Sequence, residues 1–109
     1  YVRIFEDVVA TGRMCLCGIL TAEYDTLSEP MRRRLTDFFE RNEAWLAALL
    51  AAGRESGELR FAADPRTVAA AMASALEGAM LVARAHGGLE SFRASARLML
   101  QNLLELSNG

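Results

Sequence analysis

The sequence predicts an all-α fold, an antiparallel bundle of about five helices in one domain. Alanine supplies 19 of the 109 residues while runs of Val, Ile and Thr are scarce, which favours helix over strand. Apolar residues recur at three- and four-residue spacing, as one helix face requires. The 8 glycines and 2 prolines punctuate the chain between periodic segments. A composition 52% hydrophobic and 24% charged can fill a core, so a disordered chain is excluded.

The first helix is expected over residues 1–11, with Gly12 as its exit, and the second over 13–25. In Leu27-Ser28-Glu29-Pro30, Ser28 can cap a helix start and Pro30 is harmless in its first turn. The third helix then runs to about Ser56, and Gly57 supplies a left-handed stop. Asp64-Pro65 joins a capping carboxylate to a proline at the first helical position, which starts a fourth helix over 65–86. Gly87-Gly88 ends it, and a fifth helix is expected over 89–106.

The faces say more than the boundaries. On the third helix Met31, Leu35, Phe38, Phe39, Trp45, Leu46, Leu49 and Leu50 share one arc, interrupted by Asn42. An amide among aromatics must find hydrogen-bond partners. The fourth helix has two stripes. Val68, Met72, Leu76, Ala79 and Ala83 suit an internal core, whereas Ala71, Ala75, Gly78, Val82 and Ala85 form a second line of mostly small side chains that lets another helix approach closely. On the fifth, Leu89, Phe92, Ala96, Met99, Leu100, Leu103 and Leu104 cover a broad face. Two wide faces and few helices to cover them point to a homodimer through the fourth and fifth helices; the plainer alternative is that an N-terminal part of a longer protein covers them. The interface is expected at Ala71, Ala75, Gly78 and Val82 with Phe92, Ala96, Met99, Leu100 and Leu103.

The net charge of -2 argues against a grip on nucleic acid by these residues, because phosphate binding needs clustered positive charge. Arg32, Arg33 and Arg34 are the one basic run; on a helix they fan out by about 100° per residue and read as a solvated face. No stretch approaches the ~20 apolar residues that cross a bilayer, and no leader is recognisable, so a cytoplasmic protein without membrane contact is expected. The opening at Tyr1, inside an apolar pattern, suggests a piece of a longer protein.

The segment from Met14 to Leu20 (MCLCGIL), then Ala22-Glu23, Phe38-Phe39, Asn42 and Trp45-Leu46 resembles the C-terminal domain of the TetR family of transcriptional regulators. Gly57-Glu58-Leu59, Asp64-Pro65 and the run from Leu76 to Arg84 (LEGAMLVAR) extend the likeness over nearly the whole chain. The resemblance implies an effector-binding and dimerisation domain over residues 1–109 of a bacterial regulator, a repressor by expectation. It implies that a separate N-terminal helix-turn-helix domain makes the operator contacts, that the last two helices pair with their counterparts in a second subunit, and that a small effector binds between the central helices. Its binding would shift the DNA-reading heads away from the half-site spacing.

A pocket among the second, third and fourth helices is expected to draw on Cys15, Cys17, Glu23, Tyr24 and Phe38, with Asn42, Trp45, Leu49, Met72 and Met80. Asn42 can orient a polar group while Trp45 supplies area and one N–H donor. Each has a plainer reading: aromatics and methionines at helical spacing usually form core, Glu23 can turn outward, and the cysteines can be small buried hydrophobes. Glu77 could also line a cavity; otherwise it and Arg84 read as solvated. Cys15 and Cys17 lie two apart, about 200° around a helix, so they neither bridge nor chelate as a pair. His86 is the single histidine, and it completes neither a zinc set nor a nucleophile–base arrangement. No enzyme activity, metal or cofactor is expected. The competing reading is a stand-alone helical dimerisation or interaction module without a small ligand; a helical enzyme domain is the weakest.

Overall fold

The computed structural model describes residues 1–10 and 16–106. In chain order these form α1 (Val2–Ala10), α2 (Leu16–Ala22), a 3₁₀ turn (Tyr24–Thr26), α3 (Glu29–Glu55), β1 (Leu59–Arg60), α4 (Pro65–Ala85), α5 (Gly88–Leu103) and β2 (Glu105–Leu106). The all-α expectation holds, and local chemistry sets most helix ends. Ser28 Oγ accepts from the Met31 amide at 3.4 Å, and Asp64 Oδ2 accepts from the Arg66 and Thr67 amides at 3.1 and 3.3 Å. Gly57, at φ 83°, takes the left-handed conformation that stops α3. Gly87, at φ 86°, turns the chain between α4 and α5.

Two boundaries differ from expectation. The second helix stops at Ala22 rather than near residue 25, and the chain passes through the 3₁₀ turn. Arg32 fixes that turn: its Nε and Nη2 donate to the carbonyls of Tyr24 and Asp25 at 3.0 and 2.9 Å, and its guanidinium lies 4.8 Å from the Tyr24 ring centre. Arg32 is therefore a tether and not merely part of a solvated face. The fifth helix stops at Leu103 rather than residue 106, because the following residues pair antiparallel with the α3–α4 connection, Leu59 opposite Leu106 and Arg60 opposite Glu105. The expected exit at Gly12 and the expected start of the second helix at residue 13 lie outside the described residues.

The helix packing is centred on α4, which lies between α3 and α5, with α1 crossing α4 and α5. Two apolar clusters fill the interior. Phe5, Leu76, Met80, Ala83, Phe92 and Ala96 form the first, with the Phe5 and Phe92 rings stacked at 6.3 Å. Leu46, Leu50, Val68, Ala69, Met72 and Leu104 form the second, and Tyr1 packs against both. The envelope measures 47 × 32 × 18 Å, about two helices deep. The 21 residues of α4 also correct the expectation that no stretch is apolar enough to cross a bilayer: with mean hydropathy 1.4 it passes by length and composition. In the fold it is the central core helix, which explains that composition without a membrane.

Candidate functional site

Helix α3 carries two apolar lines. Leu35, Leu46 and Leu50 are buried, and Asn42, half-buried, falls on this inward side. Its Nδ2 donates to Tyr1 Oη at 2.6 Å, a bond joining α3 to the start of α1. The Tyr1 ring also lies 5.5 Å from Phe5 and 6.1 Å from Trp45. The amide that interrupts the arc thus reaches a phenol forty-one residues away in sequence.

On the other side of the interior, α2 meets α4 through a glycine. A Cβ on Gly18 would stand 2.7 Å from Glu77 Oε2 and 3.8 Å from Met80 Cε, so the missing side chain lets this carboxylate oxygen lie buried against α2. Of the two readings of Glu77, the buried carboxylate oxygen favours an inward place over a solvated one. The signal was its place one residue after Leu76, on the flank of α4's core stripe. Cys17, half-buried, neighbours Gly18, and its carbonyl accepts from Thr21 Oγ1 at 2.7 Å. Cys15 lies outside the described residues.

The other expected pocket residues separate. Met72 is 4% exposed and closed within the second core cluster, so its place is core. Met80 is 1% exposed, with its Cε methyl beside Gly18. Glu23 points to solvent, and Tyr24 is partly exposed beneath Arg32. Phe38, Trp45 and Leu49 are 46, 53 and 49% exposed, on the outer line of α3 with Met31 at 44%. They correct the single pocket-facing arc: a helix with apolar residues over so wide an arc can bury only part of it in a slab two helices deep. A groove of about 440 Å³ runs beside this line between Arg34, Asp37, Phe38, Arg41 and Asn42. A second, of about 650 Å³, opens where α5 ends, bounded by Arg60, Phe61, Val68, Gln101 and Leu103.

The two stripes of α4 point to opposite environments. Val68, Met72, Leu76 and Ala83 are buried and Ala79 is half-buried, whereas Ala71, Ala75, Gly78 and Val82 are exposed. A Cβ built on Gly78 meets nothing within 4 Å. Of the α5 residues expected at a subunit interface, Phe92 and Ala96 are 0 and 3% exposed inside the protomer. That corrects their assignment: Phe5, Leu76 and Met80 already enclose them, leaving no surface for a partner. Met99, Leu100 and Leu103 are half-buried against the same clusters. Besides Val82, 57% exposed, the large apolar side chains left open on α4 and α5 are Leu81, 40% exposed, and Leu98, 59% exposed, which the sequence reading missed because both fall off the longest stripes. Among the described residues no three His, Cys, Asp or Glu side chains gather as a metal site.

The comparisons with known proteins agree with this architecture. The family model described as Tetracyclin repressor-like, C-terminal domain, matches residues 1–99. A solved TetR-family transcriptional regulator from Agrobacterium tumefaciens superposes with a TM-score of 0.88 at 31% identity, over 96% of this chain. The chain spans 56% of that protein's length. No curated protein matches. A family model over most of the chain and a fold shared at this identity agree, and the chain belongs to the C-terminal domain family of TetR transcriptional regulators.

Proposed function

We propose that this domain is the effector-responsive and dimerising part of a cytoplasmic bacterial repressor, whose operator contacts are made by an N-terminal domain outside these residues. The solved relative is nearly twice as long as the matched region, which accommodates such a domain. The open small-residue face at Ala71, Ala75, Gly78 and Val82 is the proposed subunit contact, with Leu98 replacing the enclosed Phe92 and Ala96.

The observation that carries the effector reading is the Asn42–Tyr1 hydrogen bond on the inward side of α3. A half-buried amide and phenol, beside an interior filled mostly by apolar side chains, offer a small, partly apolar ligand groups that fix its orientation. Cys17, Glu77 and Met80 would form the α2–α4 side of that site. Trp45, 6.1 Å from the Tyr1 ring, would border the site, with Phe38 and Leu49, about half exposed, toward its outer edge.

A thermal-shift screen with small, partly apolar compounds tests the reading. A compound at 100 times its Kd stabilises the native state by about 2.7 kcal/mol, readily seen as a higher melting temperature. Asn42→Leu should leave the helical spectrum intact and reduce the compound-induced stabilisation by roughly 1–3 kcal/mol. If Asn42→Leu lowers the basal melting temperature while the same compound binds with unchanged affinity, Asn42 serves packing alone and the proposed site is wrong.

A further inference from the structure

Where α2 meets α4, the two helices bring one charge between them. Helix α2 contains no charged residue, and the positions three and four away from Glu77 on α4 are Ala73, Ser74, Met80 and Leu81. Neither helix thus places a cation at ion-pairing spacing from this carboxylate. Glu77 Oε2 is buried, 2.7 Å from where a Cβ on Gly18 would stand, while the residue as a whole is half-buried and can be reached from outside. Gly18 makes room for it, since any larger residue there would turn the carboxylate away.

Desolvating an ionised carboxylate is costly unless a donor compensates it. An ammonium does so with a charge-assisted hydrogen bond, stronger than one from a neutral donor. A carboxylate offers two oxygens and about four acceptor sites, so contacts of Glu77 within the protein leave capacity for a ligand's donor. An anionic ligand would meet the same charge at close range and be repelled. Beside Oε2, the flexible thioether of Met80 supplies an apolar surface that adapts to different shapes.

We propose that the effector is a cation, an ammonium on a small apolar body, whose N–H groups donate to Glu77 at the Gly18 contact. The inference rests on the effector site proposed above and assigns the charge that its α2–α4 side selects.

The intact protein is titrated by calorimetry with three probes that share one apolar body: phenylbutylamine, phenylbutanol and phenylbutyrate. At about pH 7 the amine is protonated and the acid ionised. The amine should bind about tenfold more tightly than the alcohol, and the carboxylate more weakly than either. Glu77→Gln keeps the side chain's shape and should bring amine and alcohol to equal affinity. Gly18→Ala keeps the charge but puts a methyl where Oε2 lies. The atom displaced is the end of a flexible side chain, so the fold tolerates the change and the amine's advantage should fall roughly threefold or more. Circular dichroism and the melting temperature without probe check that both variants fold.

Equal affinity for amine and alcohol, tighter binding of the carboxylate, or no binding by any of the three overturns the proposal. So does an amine preference that survives both substitutions, which would reflect general attraction to a chain of net charge -2. Asn42→Leu separates this outcome from the effector reading. Amine and alcohol bound alike, and both lost in that variant, would keep the site and remove its selection of cations. A Glu77-dependent preference untouched by Asn42→Leu would keep the selection and remove Asn42 from the site.

Discussion

Gly78 separates what a residue does for its own helix from what it does for a neighbour. It lies inside α4, where glycine costs about 0.8–1.0 kcal/mol relative to alanine in helix propensity. The added methyl of Gly78→Ala meets nothing within 4 Å in the protomer, so no steric term offsets that gain. The isolated fold should therefore become more stable by about 1 kcal/mol. If a second subunit packs on the same face, overpacking by one methyl costs ~1–3 kcal/mol on each side. A two-fold interface counts it twice, so association weakens by ~2–6 kcal/mol, from about thirtyfold in Kd upward. Urea denaturation at submicromolar concentration measures the first effect, and sedimentation equilibrium over a wide concentration range the second. Opposite signs in the two measurements support close helix approach at Gly78. Unchanged association in both Gly78→Ala and the bulkier Gly78→Arg refutes the reasoning and removes Gly78 from any interface.

Two further substitutions test the protomer itself. Phe92→Ala should cost about 3–5 kcal/mol, since the ring is fully enclosed by Phe5, Leu76 and Met80; the loss should be independent of protein concentration, and one that vanishes on dilution would return Phe92 to a subunit contact. Asp64→Ala removes the acceptor for two amides at the start of α4 and should cost ~0.5–2 kcal/mol in the same urea titration; asparagine at this position should recover most of it, and failure to do so would assign the effect to charge rather than capping.

The parts of the fold legible in the sequence are those set by local chemistry. Ser28 with Pro30, Gly57, and Asp64 with Pro65 fix helix ends through side-chain acceptors and backbone preference, and their structural roles follow from neighbours a few residues away. The two stripes of α4 were also legible, because a glycine and alanines opposite Leu76 and Met72 mark two environments on one helix. Pairing of residues 59–60 with 105–106 was not, since a two-residue ladder between segments forty-five residues apart has no periodicity to announce it. The same limit governs the site. Periodicity shows that α3 and α5 are apolar over wide arcs but not which neighbour takes which part. Phe92 faces Phe5 because α1 crosses α5, whereas among the described residues no helix lies beyond α3 on the side of Phe38 and Trp45.

Depth links these observations. A bundle about 18 Å thick can give its middle helix two neighbours, α3 and α5, and α1 as a partial cover, but it cannot enclose α4 or α3 all round. Among the described residues apolar surface is left open on both helices. The two surfaces nevertheless differ in chemistry. Along α4 the open residues are mostly small, so the contact they favour is backbone-close and depends on shape. Along α3 they are large and half-buried beside two arginines, so affinity there would depend on anchor side chains and on salt. One partner surface cannot satisfy both requirements equally. Salt should therefore leave association through α4 largely unchanged, and a Kd that rises steeply with ionic strength would show that charge rather than close approach holds the subunits together.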